Sequence, residues 1–370
     1  MGWGLATGMA VAAPACGAEA DQSLKALAQA RGLRFGSSIG AGTANSLAGS
    51  FHDPAYRDLM RRECGVLVHE NALKWYVLRT GPTGFDFAPA DRIMQFAREA
   101  GLGVRGHTLL WNRAEFTPAW LEEADFGSRP ASAAEQLIVE HIRTVVERYR
   151  GQIYSWDVVN ETVDPETGEL RDTVFSRLLG ERVTDIAFHA AREADPDAQL
   201  VYNDYMGWDT GQSRHRDGVM RLVDGMVERG VPIDALGVQS HIWASPGERS
   251  DGFDPARDAR WHDFLTAITR LDLDLAVTEF DVNDTRLAYE IAERDADISA
   301  LAEHYLSLML SYPQTRDVLV WGMADPYSWL QNLWPRPDGE AKRPSPYDAN
   351  FRPKPLRAAI ARALQSAPAR

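Results

Sequence analysis

The stretch IYSWDVVNE (153–161) decides how this chain folds. It is largely apolar and ends in Asn160-Glu161, whereas a strand with one wet face alternates apolar and polar residues. A run of this kind suits a strand buried on both faces, as in a parallel sheet covered by helices. The same form recurs on either side. Upstream lie RFGSSIG (34–40), GVLVHENAL (65–73) and VRGHTLLW (104–111). Downstream lie AQLVYNDY (198–205), ALGVQSHI (235–242), DLAVTEFDV (274–282) and DVLVWGMAD (317–325). Helix-like stretches with an apolar spacing of roughly 3.6 residues fall between them: 54–63, 89–100, 133–149, 176–194, 213–229, 258–270 and 296–311, with a last one at 354–365. Pro, Asp or Ser opens many of these and Gly closes many, as helix capping requires. Eight strand–helix units in series predict an α/β protein, a closed (β/α)8 TIM barrel in one domain over 21–370. A doubly wound open sheet is the competing architecture. Residues 326–353, rich in Pro and aromatics, read as a long final loop.

The carboxyl-terminal ends of the runs are polar and the amino-terminal ends are not. They carry His69-Glu70-Asn71, His107, Asn160-Glu161, Asn203-Asp204-Tyr205, Gln239 with His241, Glu279 with Asp281, and Asp325. In a barrel these ends share one rim, so the side chains converge on a single site. That convergence favours the barrel over the open sheet. Any one of them alone would pass as a satisfied loop or cap group.

Composition narrows the ligand. With 39 basic against 53 acidic residues the net charge is -14, which disfavours nucleic acid and anionic membranes and leaves a neutral polymer as the easier partner. The chain has 11 Trp, flat side chains that fill cores or stack on sugar rings. Cys16 and Cys64 are too few for a disulfide framework or a thiolate zinc site. No element carries His-x-His or His-x-x-x-His, and Asn, Gln, Lys and Trp in the polar set suit hydroxyls and rings. No metal and no cofactor are therefore expected. Residues 1–20, ending Ala18-Glu19-Ala20, read as an incomplete export signal or a disordered Ala-rich end, and export to the periplasm or exterior is the expectation. No stretch is long and apolar enough to span a bilayer.

Two strand-end glutamates carry the chemistry. Glu161 sits at the mouth of an apolar barrel, where lost solvation favours the protonated form that a general acid needs. Glu279 ends LAVTEF three strands further on and can face it across the mouth. Carboxyl groups about 5–5.5 Å apart fit a covalent glycosyl intermediate, and about 6.5–9.5 Å fits inversion through a water. His241 is the candidate donor that keeps Glu279 ionised, with Asp281 orienting its ring; a buried structural histidine is the plainer reading. Because neighbours on a strand point to opposite faces, Asn160 and Glu161 can share the site only if the strand bulges at its end.

At these residues the chain resembles glycoside hydrolase family 10, the xylanase family built on a (β/α)8 barrel. The likeness covers roughly 30–360. It rests on HENALKW (69–75), RGHTLLW (105–111), WDVVNE (156–161), YNDY (202–205), GVQSHI (237–242), VTEFDV (277–282) and WGMADPYSWL (321–330), with PSPYDANFRPKP (344–355) closing the series. The resemblance implies an endo-1,4-β-xylanase that cleaves xylan or xylo-oligosaccharides with retention, with Glu161 as acid/base and Glu279 as nucleophile. It implies that Asn160 meets the 2-hydroxyl of the −1 sugar, the ring whose bond is broken. Lys74, His107, Gln239 and Trp321 resemble other −1 contacts, Trp329 closes over the site, Glu70 and Asn71 serve −2, and Tyr205 serves the leaving-group side. Trp111 reads as a contact or as packing. The chain departs from the family pattern at Asn112, at Arg113-Ala114-Glu115-Phe116, at Met206 and at Phe280, which puts the leaving-group contacts and the preferred decoration of the substrate in question. A related β-glycanase acting on cellulose, mixed-linkage glucan or an aryl glycoside, and a non-catalytic carbohydrate-binding barrel, are the alternatives. A monomer is expected.

Overall fold

The computed structural model describes residues 22–370; the export-signal reading of 1–20 and Cys16 lie outside them. The apolar runs become strands β1 (Arg34–Ile39), β2 (Val66–His69), β3 (Gly103–Trp111), β4 (Ser155–Asn160), β5 (Gln199–Asp204), β6 (Ala235–Val238), β7 (His241–Trp243), β8 (Asp274–Asn283) and β9 (Thr315–Val320). They pair in the order β6-β5-β4-β3-β2-β1-β9-β8, and β8 returns to β6 with Ala235 opposite Asp274. The sheet therefore closes into a parallel barrel of eight staves. The sixth run departs from its expected form. It yields two short strands because Gln239-Ser240 breaks it, with Ser240 in the left-handed region at φ 64°; β7 then pairs with β8, His241 opposite Asp281.

Main helices separate the staves at Pro54–Glu63, Ala88–Ala100, Pro130–Arg148, Arg182–Ala194, Ser213–Glu228, Pro255–Thr269, Ile291–Leu310 and Pro355–Ser366. Their ends follow the capping rules. The side chains of Asp53 and Asp254 accept from the amides of Ala55 and Ala256, each just before a Pro, and Gly101 closes its helix at φ 65°. The helix expected over 176–194 is two helices, Val174–Leu179 and Arg182–Ala194. Gly180 at φ 59°, ψ −142° ends the first, which starts at a capping box of Thr173 and Ser176. The helices bury one apolar stripe each, such as Ile138, Ile142, Val145 and Val146, against the outside of the strands.

The two ends of the barrel differ. At the amino-terminal end Arg34 donates twice to Asp317, at 2.6 and 2.7 Å, and the Tyr154 hydroxyl donates to the same carboxylate at 2.9 Å. At the carboxyl-terminal end β4 slips its register between Asp157 and Val159, and Glu161 takes a left-handed backbone at φ 54°. This irregular end lets successive residues of one strand serve the same rim.

Candidate active site

Glu161 and Glu279 are both nearly buried, 6% and 5% exposed, at the carboxyl-terminal rim. A row of amides connects them. Gln239 Nε2 donates to Glu161 Oε1 at 2.9 Å and lies 3.3 Å from Asn160 Oδ1. Asn160 Nδ2 also reaches Glu161 Oε1, at 3.2 Å. Asn203 Nδ2 donates to Asn160 Oδ1 at 2.9 Å and to Glu279 Oε1 at 2.8 Å. Asn203 is fixed in turn by Thr278, whose hydroxyl donates to its Oδ1 at 2.7 Å. Gly237 leaves the space for it, since a Cβ there would collide with that oxygen. Asn203 was legible as a polar strand end, but the sequence offers no signal that singles it out from Asp204 and Tyr205 beside it.

Basic side chains crowd Glu279. His241 Nε2 lies 3.4 Å from its Oε2, and the other ring nitrogen, Nδ1, lies 2.9 Å from Asp281 Oδ1. Asp281 accepts from Trp329 Nε1 at 2.8 Å, and the Trp329 and His241 rings are 4.8 Å apart. His107 Nδ1 is 4.0 Å from Glu279 Oε1 and 2.8 Å from Asp157 Oδ2, and Asp157 is itself gripped by the buried Arg105. Burial alone would raise the Glu279 carboxyl, but His107, His241 and Lys74 outweigh it and bring it down to about 2. Burial likewise works against a charge on His241, and the Asp281 and Glu279 carboxylates overcome it and lift the imidazole to about 10. Glu279 is thus an ionised carboxylate beside an imidazolium.

Glu161 has a different setting. The expectation of an apolar surround is corrected here: the Arg113 guanidinium donates to its Oε2 at 2.8 Å. With Asn160 and Gln239 on Oε1, the carboxyl group accepts from three N–H donors. Arg113 stands in the loop after β3, where the residues themselves gave no sign of reaching across to β4. Arg171, also unforeseen, donates through Nε to the Glu161 carbonyl at 2.8 Å and through Nη2 to the Tyr205 hydroxyl at 2.5 Å.

Other candidates gather around Lys74. Lys74 Nζ donates to Asn71 Oδ1 at 3.0 Å and lies over the Trp111 ring at 4.3 Å and near the Trp321 ring at 5.8 Å. Trp321 meets His107 edge to face, with centroids 5.3 Å apart. Asn71 Oδ1 also accepts from the Tyr76 hydroxyl at 2.8 Å. Burial raises the Glu70 carboxyl to about 7, although Lys74 and Asn71 pull it down. Trp111 is covered on one face by Phe116, stacked at 3.7 Å, so part of its role is packing. Among the described residues no three His, Cys, Asp or Glu side chains come together in a way that could hold a metal ion.

A parallel barrel whose carboxyl-terminal rim joins two buried glutamates, with tryptophan rings against their neighbours Lys74, His107 and His241, is the framework of a glycoside hydrolase. The chain belongs to Glycosyl hydrolase family 10, whose model matches residues 23–363. It is 32% identical to endo-1,4-beta-xylanase 3 of Hypocrea jecorina over 348 residues, covering 94% of this chain and 87% of that one. It is 36% identical to endo-1,4-beta-xylanase B of Paenibacillus barcinonensis over 294 residues, covering 77% and 84%. Among solved structures, xylanase 10B from Thermotoga petrophila RKU-1 in complex with xylobiose superposes with a TM-score of 0.81 at 28% identity, covering 93% of this chain and 98% of that one.

Proposed function

We propose that this chain is an endo-1,4-β-xylanase that hydrolyses internal bonds of xylan with retention, Glu279 acting as nucleophile and Glu161 as acid/base. The observation that carries this reading is the unequal setting of two linked carboxyl groups. Glu279 is held ionised by His241, His107 and Lys74, as an attacking carboxylate requires. Glu161 lies beyond the amide row, where it can pass a proton to the leaving oxygen and afterwards take one from water. The named activities of the relatives supply the substrate class.

The other rim residues take their parts from this reading. Asn160 meets the 2-hydroxyl of the −1 sugar, a bond that strengthens as the oxocarbenium-like transition state forms. Lys74, His107, Gln239 and Trp321 hold that ring, with Trp329 closing over it. His241 and Asp281 keep the nucleophile charged and aimed. Glu70 and Asn71 hold the −2 sugar, Trp111 adds a face to that side, and Tyr205 borders the leaving group. The reading extends to one catalytic domain over 21–370, acting as a monomer and exported on the strength of the A-x-A ending at Ala20; no described helix is long and apolar enough to cross a membrane.

Glu279→Ala and Glu161→Ala are each expected to cut xylan hydrolysis by roughly 10³-fold or more. NMR of the first-formed anomer from a xylo-oligosaccharide tests the stereochemistry, with the β-anomer expected. Wild-type turnover in either variant, or an α-anomer formed first, overturns the roles.

A further inference from the structure

Arg113 is not required by the retaining chemistry just described, yet it is bonded to the acid/base carboxyl group. Its Nη1 holds Glu161 Oε2 at 2.8 Å while its Nη2 reaches the exposed Glu115 at 3.2 Å. The guanidinium lies near the Phe116 ring, 5.3 Å from its centroid, and its side chain keeps 24% exposure. It therefore reaches solvent and is not sealed in the core. Arg171 stands nearby, tied to the Tyr205 hydroxyl and to the Glu161 carbonyl, with Asp164 3.8 Å from it. Two guanidinium groups thus flank Glu161 on the Tyr205 side, in a chain whose net charge is -14. The acidic groups that face them are Glu161, Glu115 and Asp164.

An acid/base must present an oxygen to the leaving group when the bond breaks, and in the free enzyme the guanidinium occupies Glu161 Oε2. That oxygen is vacated if Arg113 finds another anion. A planar fork with five N–H donors matches a carboxylate in a two-point bond. We propose that Arg113 recognises an acidic substituent, a uronic acid, on the sugar of the leaving-group side, and moves to it from Glu161. The transfer frees Glu161 Oε2 to face the leaving oxygen. Binding of the decorated chain and arming of the acid are then one event. Glu115, which shares Arg113 in the free enzyme, holds the guanidinium at the cleft edge between the two positions.

This inference rests on the xylanase reading, and the test separates the two. Rates are measured on a linear xylo-oligosaccharide and on the same chain bearing one glucuronic acid on the ring just beyond the scissile bond, with mass spectrometry of the products fixing the cleavage site. Wild-type turnover of the neutral chain upholds the xylanase reading whatever follows. The wild type is expected to favour the acidic chain in kcat/KM by about tenfold, the scale of one charge-assisted bond. Arg113→Gln is expected to bring that ratio close to one, and Arg113→Lys, which keeps the charge and loses the fork, to leave it in between. The wild-type ratio should also shrink as salt is raised, a readout that needs no variant. A wild type that treats both chains alike, a ratio insensitive to salt, or an Arg113→Gln variant that loses the same factor on both substrates overturns the proposal.

Discussion

His241 stands between two carboxylates, which together overcome its burial and keep the imidazole charged. The Glu279 carboxyl titrates near 2 instead of 4.5, so it stays ionised well into acid, and the stability it contributes is full above 4.5 and lost as pH falls through about 2. The imidazole works in the opposite direction: its contribution is full below 6.5 and lost as pH rises through about 10. His241→Gln removes the cation and is expected to lower kcat roughly a hundredfold while the acid limb of the kcat/KM profile moves upward toward the ordinary carboxylate range. An acid limb that stays in place would show that His107 and Lys74 suffice. Glu70 presents the reverse case. Its carboxyl is raised from 4.5 to about 7, so the protonated form is favoured in the fold, and stability declines as pH climbs through that window. Glu70→Gln should flatten the melting temperature across the same window, and an unchanged slope would count against the neutral form of Glu70.

At the level of the strands, position follows from backbone departures that a residue pattern shows only in part. Apolar runs made every stave legible, because a strand buried on both faces has nowhere to put polar groups. The bend at Glu161 was legible too, since two adjacent candidate residues can share one rim only through such a bend. The break at Ser240 was not, because a serine gives no hint of a left-handed φ; nor was the end of the first helix at Gly180, hidden inside a stretch of helical spacing. Arg113 escaped because its partner lies on the next stave and not on its own segment. Gly237 on β6 shows how tightly one stave depends on another. Gly237→Ala would push a methyl group into Asn203 and disturb the amide that touches both Asn160 and Glu279. A loss of about 10²-fold in kcat is expected, with a stability cost of only about 1–3 kcal/mol. Wild-type kcat in that variant would mean that Asn203 does not position Glu279.

The molecule as a whole divides its labour between its two ends. The amino-terminal end holds the barrel shut, with β1 tied to β9 through Arg34 and Asp317 and with Tyr154 on the same carboxylate. Asp317 is 1% exposed, whereas the Arg34 side chain is 40% exposed, which reduces what the pair is worth. Asp317→Asn is expected to cost about 1–3 kcal/mol of stability and to leave kcat/KM unchanged below the melting transition. A change in kcat/KM would show that the far end communicates with the rim. The amide row between Glu161 and Glu279 has a consequence of its own. Amide N–H groups donate but do not surrender their hydrogens at ordinary pH, so this bridge conducts no protons. The two carboxyl groups are mechanically joined and, along this row, chemically insulated: on the proposed roles, the hydrogen ion that Glu161 gives to the leaving oxygen cannot come from Glu279 through the amides and is made good by the water that attacks next.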